Sequence, residues 1–100
     1  MAKVIFEAEN LRVKIDNNEN ILIIEANWED SDNTEEWFCH LGKDLDDIIF
    51  QAIALGRVYT DDMKWYITTS DCHTFTVCNT TFNVSVTISK ETLKKAILTS

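Results

Sequence analysis

Apolar and polar residues alternate along the start of the chain, and this alternation changes phase once. Apolar side chains occupy even positions from Val4 to Ala8 and odd positions from Leu11 to Ile15. A two-residue hairpin turn at Glu9-Asn10 explains the change, because it brings the apolar residues of both strands to one face. The predicted register pairs Ala8 with Leu11, Phe6 with Val13, Val4 with Ile15 and, on the other face, Glu7 with Arg12. One long strand with a β-bulge at the same place would also change the phase.

A second hairpin is predicted around the polar run 17–20, since asparagine tolerates turn conformations that apolar residues avoid. The predicted register pairs Ile15 with Leu22, Val13 with Ile24, Leu11 with Ala26 and, on the opposite face, Arg12 with Glu25. In this arrangement Ile5, Ile21 and Ile23 point away from the first apolar face. Either helices or another chain must then cover them.

The middle of the chain combines a polar loop with an amphipathic helix. Residues 29–36 form the loop. Residues 36–41 form either a strand with Trp37, Cys39 and Leu41 on one face or a short helix capped at Asn33, and we expect the strand. Asp44 is the predicted N-cap of a helix that ends at Gly56. The apolar positions of this helix recur at helical spacing: Leu45, Ile48, Ile49, Ala52 and Ile53.

The second half of the chain predicts antiparallel sheet followed by a short helix. Residues 64–69 and 72–78 are predicted strands around a turn near Ser70-Asp71, and residues 82–88 alternate strictly between apolar and polar. Ser89 is the predicted N-cap of a final helix with apolar positions at Leu93, Ala96 and Ile97. The predicted fold class is α+β, an antiparallel sheet of about six strands in the order βββ-α-βββ-α, packed with two helices.

The composition indicates one small globular domain, residues 1–100. A chain of 100 residues holds a single core, and its 45% hydrophobic and 10% aromatic content is typical of folded proteins. The first residues lack the pattern of a signal peptide, and the apolar run 21–24 is far shorter than a membrane span. The three cysteines are expected to be free thiols, because an odd number cannot all pair within one chain. We therefore expect a soluble protein of the cytosol.

The net charge of −8 is concentrated in one segment, residues 25–47. This segment holds nine acidic residues and one base, Lys43, whereas acids and bases are equal in number in the rest of the chain. A solvated loop and a favourably charged helix start would account for the charges without a partner. However, like charges repel over a Debye length of about 8–10 Å, and solubility alone does not require them to be gathered. Trp28 and Trp37 lie in the same segment, either as core residues or as exposed anchors of an interface.

Other motifs do not form a site. The dipeptides Cys39-His40 and Cys72-His73 lack zinc-ligand spacing, and neighbours on a strand point to opposite faces. The same divergence argues against Cys72 as a nucleophile activated by His73. The run Asp30-Ser31-Asp32 is similar to the start of a calcium loop, but Glu35 stands where the loop requires glycine. We expect no metal, no cofactor and no enzymatic activity, and the scattered bases argue against direct binding of nucleic acid.

These features favour a non-enzymatic inhibitor that presents acidic groups to a basic protein, either a nuclease or another nucleic-acid-binding protein. In size and charge the chain is similar to phage anti-defence proteins of the anti-CRISPR kind, which implies a nucleic-acid mimic. It is equally similar to bacterial immunity proteins that neutralise nuclease toxins, and no motif carries either similarity. The predicted contact residues are Glu25, Trp28, Glu29, Asp30, Asp32, Glu35, Glu36, Trp37, Asp44, Asp46 and Asp47. The alternative is a structural module that pairs with a second copy through an exposed sheet edge or face.

Overall fold

The computed structural model describes residues 2–98, which form eight strands and two helices. In chain order these are β1 (Ala2–Ala8), β2 (Leu11–Asp16), β3 (Ile21–Ala26), β4 (Glu35–His40), α1 (Lys43–Leu55), β5 (Val58–Tyr59), β6 (Trp65–Thr68), β7 (Thr74–Asn79), β8 (Val84–Ser89) and α2 (Lys90–Leu98). Strands β1–β4 form one antiparallel sheet, sheet A, and β5–β8 form a second, sheet B. Within each sheet the strands lie in chain order.

The predicted α+β class and the antiparallel pairing are confirmed, but the strands form two sheets of four instead of one sheet of about six. Each half of the chain has the order ββββα, and the two-residue strand β5 was not predicted. The buried residues of both sheets belong to one core, together with Leu45 and Ile49 of α1 and Leu93 of α2. The buried side chains of each sheet lie on one face of it, and these two apolar faces both contribute to the shared core. We call these the inner faces and the opposite ones the outer faces.

The β1–β2 hairpin follows the predicted register only near its turn. Ala8 lies opposite Leu11 and Phe6 opposite Val13, as predicted, but the register then shifts between Val4 and Phe6. This β-bulge adds one residue to β1, so the parity of every earlier residue is reversed. Val4 therefore lies opposite Lys14 on the exposed outer face, and Ile5 packs against the core. The predicted pair of Val4 with Ile15 was wrong, as was the outward position of Ile5.

Strands β2 and β3 confirm the register predicted from the alternation. Leu22 lies opposite Ile15, Ile24 opposite Val13, Ala26 opposite Leu11 and Glu25 opposite Arg12. The strand predicted for residues 36–41 is β4, and it pairs with β3 along its whole length. Its Trp37 and Cys39 are buried on the inner face. Ile21 and Ile23 lie on the outer face and outside the core, as predicted.

The two helices differ in how well their ends were predicted. Helix α1 has Gly42 as its N-cap residue, with φ 89°, ψ −125° and no side-chain cap. The predicted cap at Asp44 was wrong. Glycine alone adopts this backbone conformation without strain, so the turn after β4 ends at Gly42 and the helix begins two residues before the predicted position. Gly56 ends α1 as predicted, with φ 87° and its N–H bound to the carbonyl of Ala52. Ser89 caps α2 as predicted, since its Oγ accepts the N–H of Thr92 at 3.0 Å.

Two side chains set the ends of the strands in sheet B. Asp71 Oδ1 accepts the N–H groups of His73 at 2.7 Å and Thr74 at 2.9 Å. This turn keeps Cys72 and His73 out of the ladder, so β7 begins at Thr74 and not at residue 72 as predicted. Buried Asn79 likewise closes the next turn by accepting the N–H of Phe82 at 2.8 Å. Strand β8 therefore begins two residues after the predicted start.

Candidate functional site

The residues predicted to contact a partner fall into groups separated by strand β4. The loop that carries Glu29, Asp30 and Asp32 precedes this strand, and the first turn of α1 follows it. A strand of six residues spans roughly 17 Å, since each residue advances about 3.4 Å. The acidic segment therefore has two exposed ends on either side of β4, and its charges are not gathered in one cluster.

Glu25 and Trp28 belong to a closed cluster on the outer face of sheet A. The Glu25 side chain is only 9% exposed, and its Oε1 lies 2.8 Å from Arg12 Nε and 3.3 Å from Lys14 Nζ. Arg12 lies over the Trp28 ring, 4.6 Å from its centroid, and Trp28 Nε1 donates to the carbonyl of Ala8 at 2.8 Å. Burial acts to raise the pKa of Glu25, but the hydrogen bond from Arg12 and the charge of Lys14 bring that pKa below its ordinary value. The charge of Glu25 is thus neutralised within the sheet.

Three more of the predicted contact residues have partners inside the protein. Glu35 Oε1 accepts a hydrogen bond from Asn79 Nδ2 at 2.9 Å, which joins the start of β4 to the end of β7. Trp37 is 6% exposed and packs in the core. Asp46 Oδ1 lies 2.6 Å from Lys90 Nζ, an ion pair between the two helices. Trp37 is therefore withdrawn from a partner by burial, Glu35 by its hydrogen bond between the sheets, and Asp46, although 61% exposed, by its pairing with Lys90.

The loop before β4 keeps its charges in solvent. Glu29 Oε1 accepts the N–H of Asn10 at 3.1 Å, and the Asp30 carboxylate accepts the N–H of Asp32 at 3.2 Å and Asn33 Nδ2 at 2.8 Å. These donors are neutral, so the hydrogen bonds order the loop without cancelling its charge. All three carboxylates are exposed, and within residues 2–98 none of them forms an ion pair.

The outward-facing side chains of β4 lie between the two acidic ends of the segment 25–47. Glu36, Phe38 and His40 alternate on its exposed side, and the Phe38 ring is 57% exposed. Beyond Phe38 a groove of about 300 Å³ is lined by residues of β4 and the first turns of α1, namely Phe38, Cys39, His40, Asp44, Asp47 and Ile48. We call the exposed acids together with this ring the β4 strip, defined as Glu29, Asp30, Asp32, Glu36, Phe38, Asp44 and Asp47. It is an elongated acidic surface with an aromatic side chain near its middle.

An uncovered apolar patch adjoins the β4 strip on the outer face of sheet A. Ile23 lies opposite Phe38 and Ile21 opposite His40. Both isoleucines are half-buried and lie outside the core. The main contacts of α1 are with β4, β5 and β6, and those of α2 are with β8, so the patch is not packed beneath either helix.

The thiols differ sharply in environment. Cys39 is buried, and this burial, together with the negative charge of Asp44, raises the pKa of its thiol to about 12. Cys72 is exposed in the turn before β7, with its Sγ 3.7 Å from His73 Nε2. The prediction that these two neighbours diverge on a strand was wrong, because they do not lie on one. In the part of the chain that the structure describes, no three potential metal ligands converge.

A second groove, on the outer face of sheet B, was not predicted from the sequence. It contains Arg57, Tyr59, Tyr66, Cys78 and Ser85. The period of two in β6 and β7 could have placed Tyr66 and Cys78 on a common outward face, because Tyr66 lies between Trp65 and Ile67 and Cys78 follows Val77. Nothing in the sequence indicated that Arg57 folds over them, since this depends on the short strand β5.

Neither helix among residues 2–98 has the length and apolar character needed to cross a bilayer. Comparison of the chain with models of known protein families gave no match. Comparison with curated proteins and with solved structures gave no match either.

Proposed function

We propose that this chain is a non-enzymatic inhibitor that binds a basic surface of a nucleic-acid-handling protein through the β4 strip. The observation that carries the proposal is the set of six exposed carboxylates on this strip, none of which is ion-paired within residues 2–98. The remaining predicted contacts, Glu25, Trp28, Glu35, Trp37 and Asp46, are left out of the strip because each is buried or already bound inside the protein.

The geometry supports contact with two separate groups of bases. Along roughly 17 Å of β4, duplex DNA would present about ten phosphate charges, at one per 1.7 Å of its axis. Six carboxylates divided between two ends are too few to reproduce that density. They suit a partner with a basic side-chain cluster near each end, whose attraction would steer association. Phe38, between the ends, would supply the desolvated contact that holds such a complex together.

The partner is expected to be a nuclease or another nucleic-acid-binding protein, since these proteins carry basic patches or grooves. An anti-defence protein of the anti-CRISPR kind and an immunity protein against a nuclease toxin would both use this contact. The two roles differ in the partner, so the partner's identity separates them. The first experiment is affinity capture from the native host lysate, with washes of low and high salt. A basic protein released by high salt is the expected result.

Paired variants test the strip once a partner has been captured. Asp30→Asn/Asp32→Asn removes two charges at the loop end, and Asp44→Asn/Asp47→Asn removes two at the helix end. The control Glu19→Gln/Asp61→Asn removes two charges from exposed turns outside the strip. We expect each strip variant to weaken binding at least tenfold and to reduce its salt dependence, and the control to change the Kd less than threefold. Equal losses in all three variants would mean that only net charge matters, and the proposed site would be abandoned.

A second pair tests the aromatic anchor. Phe38→Ala removes the ring in the middle of the strip, whereas Phe50→Ala removes a ring on α1 that is 72% exposed and lies outside the strip. Central aromatic residues of an interface commonly account for losses of tenfold or more when truncated. We expect such a loss for Phe38→Ala alone. If Phe50→Ala weakens the complex more than Phe38→Ala does, the contact lies elsewhere.

A second candidate function, self-association, rests on the uncovered patch of Ile21, Ile23 and Phe38. The outer face of sheet A measures roughly 14 by 17 Å, or about 250 Å² in projection. A stable interface buries about 800 Å² on each partner, so this face alone would support only a weak dimer. Light scattering across a concentration series, repeated with Ile23→Glu, tests it. A monomer at every concentration would exclude this function.

A further inference from the structure

The outer face of sheet B carries a row of hydrogen-bonding side chains that crosses all four strands. The strand registers place Tyr59 of β5 opposite Tyr66 of β6, Tyr66 opposite Cys78 of β7, and Cys78 opposite Ser85 of β8. Because directly opposite residues of an antiparallel pair point to the same side, these four side chains form the floor of one groove. Each of them carries an O–H or S–H group, and no carboxylate lies in the row.

Arg57 lies over this floor. Its Nη1 donates to the hydroxyl of Tyr59 at 3.1 Å, and its guanidinium carbon is 4.3 Å from the centroid of the Tyr66 ring. The two tyrosine rings are 5.3 Å apart and tilted by 43°. Stacking on an aromatic face leaves the in-plane N–H groups of a guanidinium free to bind other acceptors. Within residues 2–98 Arg57 forms no ion pair, so its positive charge is available to a ligand.

The groove has the size and the lining of a binding site for a small anion. Its volume is about 300 Å³, at the lower end of the range for small-molecule sites, which hold more than a bare ion. Asn83, from the turn between β7 and β8, adds a side-chain amide at its rim. None of the residues that line it is acidic. The chain has 17 acids and nine bases, so its net charge is negative. This groove, with a guanidinium and no carboxylate, is locally positive.

We propose that this groove binds a small organic molecule through a phosphate or carboxylate group, with Arg57 as the ion-pair partner. A planar guanidinium donates two parallel hydrogen bonds to such a group, and Tyr66 and Ser85, which carry hydroxyl groups, line the same groove. The rest of the molecule packs along the tyrosine rings. The site is separate from the β4 strip, because it lies on the other sheet and shares no lining residue with the strip.

The overall charge of the protein affects how the site must be tested. A net charge of −8 repels anions at long range, but at physiological ionic strength this repulsion is screened beyond about 8 Å. The charge of Arg57 acts within that distance. Titrations at physiological salt therefore report the local site, and a test at very low salt would understate its affinity.

The experiment is a titration of the isotopically labelled protein with phenyl phosphate and with benzoate, followed by the backbone amide signals. Phenol serves as the neutral control. We expect saturable shifts of the amides of Tyr66, Cys78 and Ser85 with at least one of the two anions, in the millimolar range or below. The stronger of the two anions identifies the preferred group. Equal binding of phenol, or no saturable shift with either anion, would overturn the proposal.

Two variants with the same loss of charge separate the site from general electrostatics. Arg57→Gln removes the guanidinium, and Lys64→Gln removes an exposed cation just before β6, outside the lining of the groove. We expect Arg57→Gln to weaken anion binding at least tenfold and Lys64→Gln to change it less than twofold. Equal effects would refute the assignment.

A third variant, Tyr66→Phe, tests the site even if Arg57→Gln destabilises sheet B. Tyr66→Phe keeps the aromatic ring under Arg57 and removes only the hydroxyl, so the stacking is retained. We expect it to weaken the binding of the anions severalfold and to leave the unfolding midpoint nearly unchanged. Unaltered affinity in Tyr66→Phe, together with unaltered affinity in Arg57→Gln, would show that the probe binds elsewhere.

Discussion

Replacing Glu25 by glutamine tests the charged cluster on the outer face of sheet A. The carboxylate is 9% exposed and lies within 3.3 Å of both Arg12 and Lys14, so the variant leaves two positive charges without their counterion. The amide oxygen of glutamine still accepts one hydrogen bond from Arg12. The change therefore removes the charge of the acceptor with almost no change in shape.

The size of the effect follows from the burial of the three side chains. A hydrogen bond to a charged group contributes about 1.5–3 kcal/mol and a neutral one about 1 kcal/mol. Breaking a fully buried ion pair costs about 3–5 kcal/mol, but Arg12 and Lys14 are only half-buried and regain contact with water. We expect Glu25→Gln to lower the free energy of unfolding by about 1–2 kcal/mol, which is roughly 4–16 °C in Tm for a domain of this size.

The pH dependence gives this prediction a definite sign. The pKa of Glu25 in the folded protein is below its ordinary value of 4.5, so the carboxylate stabilises the fold above that pH. This contribution is lost as the pH falls through the lowered pKa of the folded state. The difference in stability between the natural protein and Glu25→Gln should therefore be constant from neutral pH to about pH 4.5 and shrink at lower pH. Urea unfolding followed by tryptophan fluorescence at several pH values measures it.

Glu36→Gln is the matched control, because Glu36 lies directly opposite Glu25 on β4 but is exposed. Removing its charge should change stability by less than about 0.5 kcal/mol, with a small gain from relief of repulsion between facing acids. Two results would refute the reasoning on Glu25. One is a loss of stability no larger than that of Glu36→Gln. The other is a loss of stability that is as large at about pH 3 as at neutral pH.

Three further predictions concern the backbone, a buried amide and the thiols. Gly56→Ala should lower the free energy of unfolding by about 1–2 kcal/mol, because φ is 87° at this position and alanine is strained there. An added Cβ meets nothing within 4 Å, so no steric clash adds to this cost. An unchanged urea midpoint would contradict the prediction. Asn79→Ala should cost about 1–3 kcal/mol, measured in the same way, because buried Asn79 binds both Glu35 and the turn after β7. Cys39, with a pKa of about 12, should react with a thiol reagent at mildly alkaline pH only after unfolding, whereas exposed Cys72 should react at once. Equal reaction rates for the thiols of the native protein would contradict this assignment.

The features predicted correctly are those that depend on residues close together in the chain. The alternation of Leu11, Val13 and Ile15 with the asparagines of the following turn determines the β2–β3 register, because a slip of one residue would turn every apolar side chain outward. Gly56 and Ser89 terminate and begin helices through their own backbone and side-chain chemistry. Such local preferences act whatever the rest of the fold does.

The features that were missed depend on contacts between distant parts of the chain. The β-bulge in β1 brings Ile5 into contact with the core, where it lines a cavity together with Val86 and Ile88 of β8. Likewise, the segment 25–47 is almost entirely acidic in the sequence, yet packing neutralises Glu25 with Arg12 and Lys14 and places strand β4 between the acids of the preceding loop and those of α1. Apolar periodicity specifies which face of a strand is buried but not what buries it, because burial is a property of the whole core.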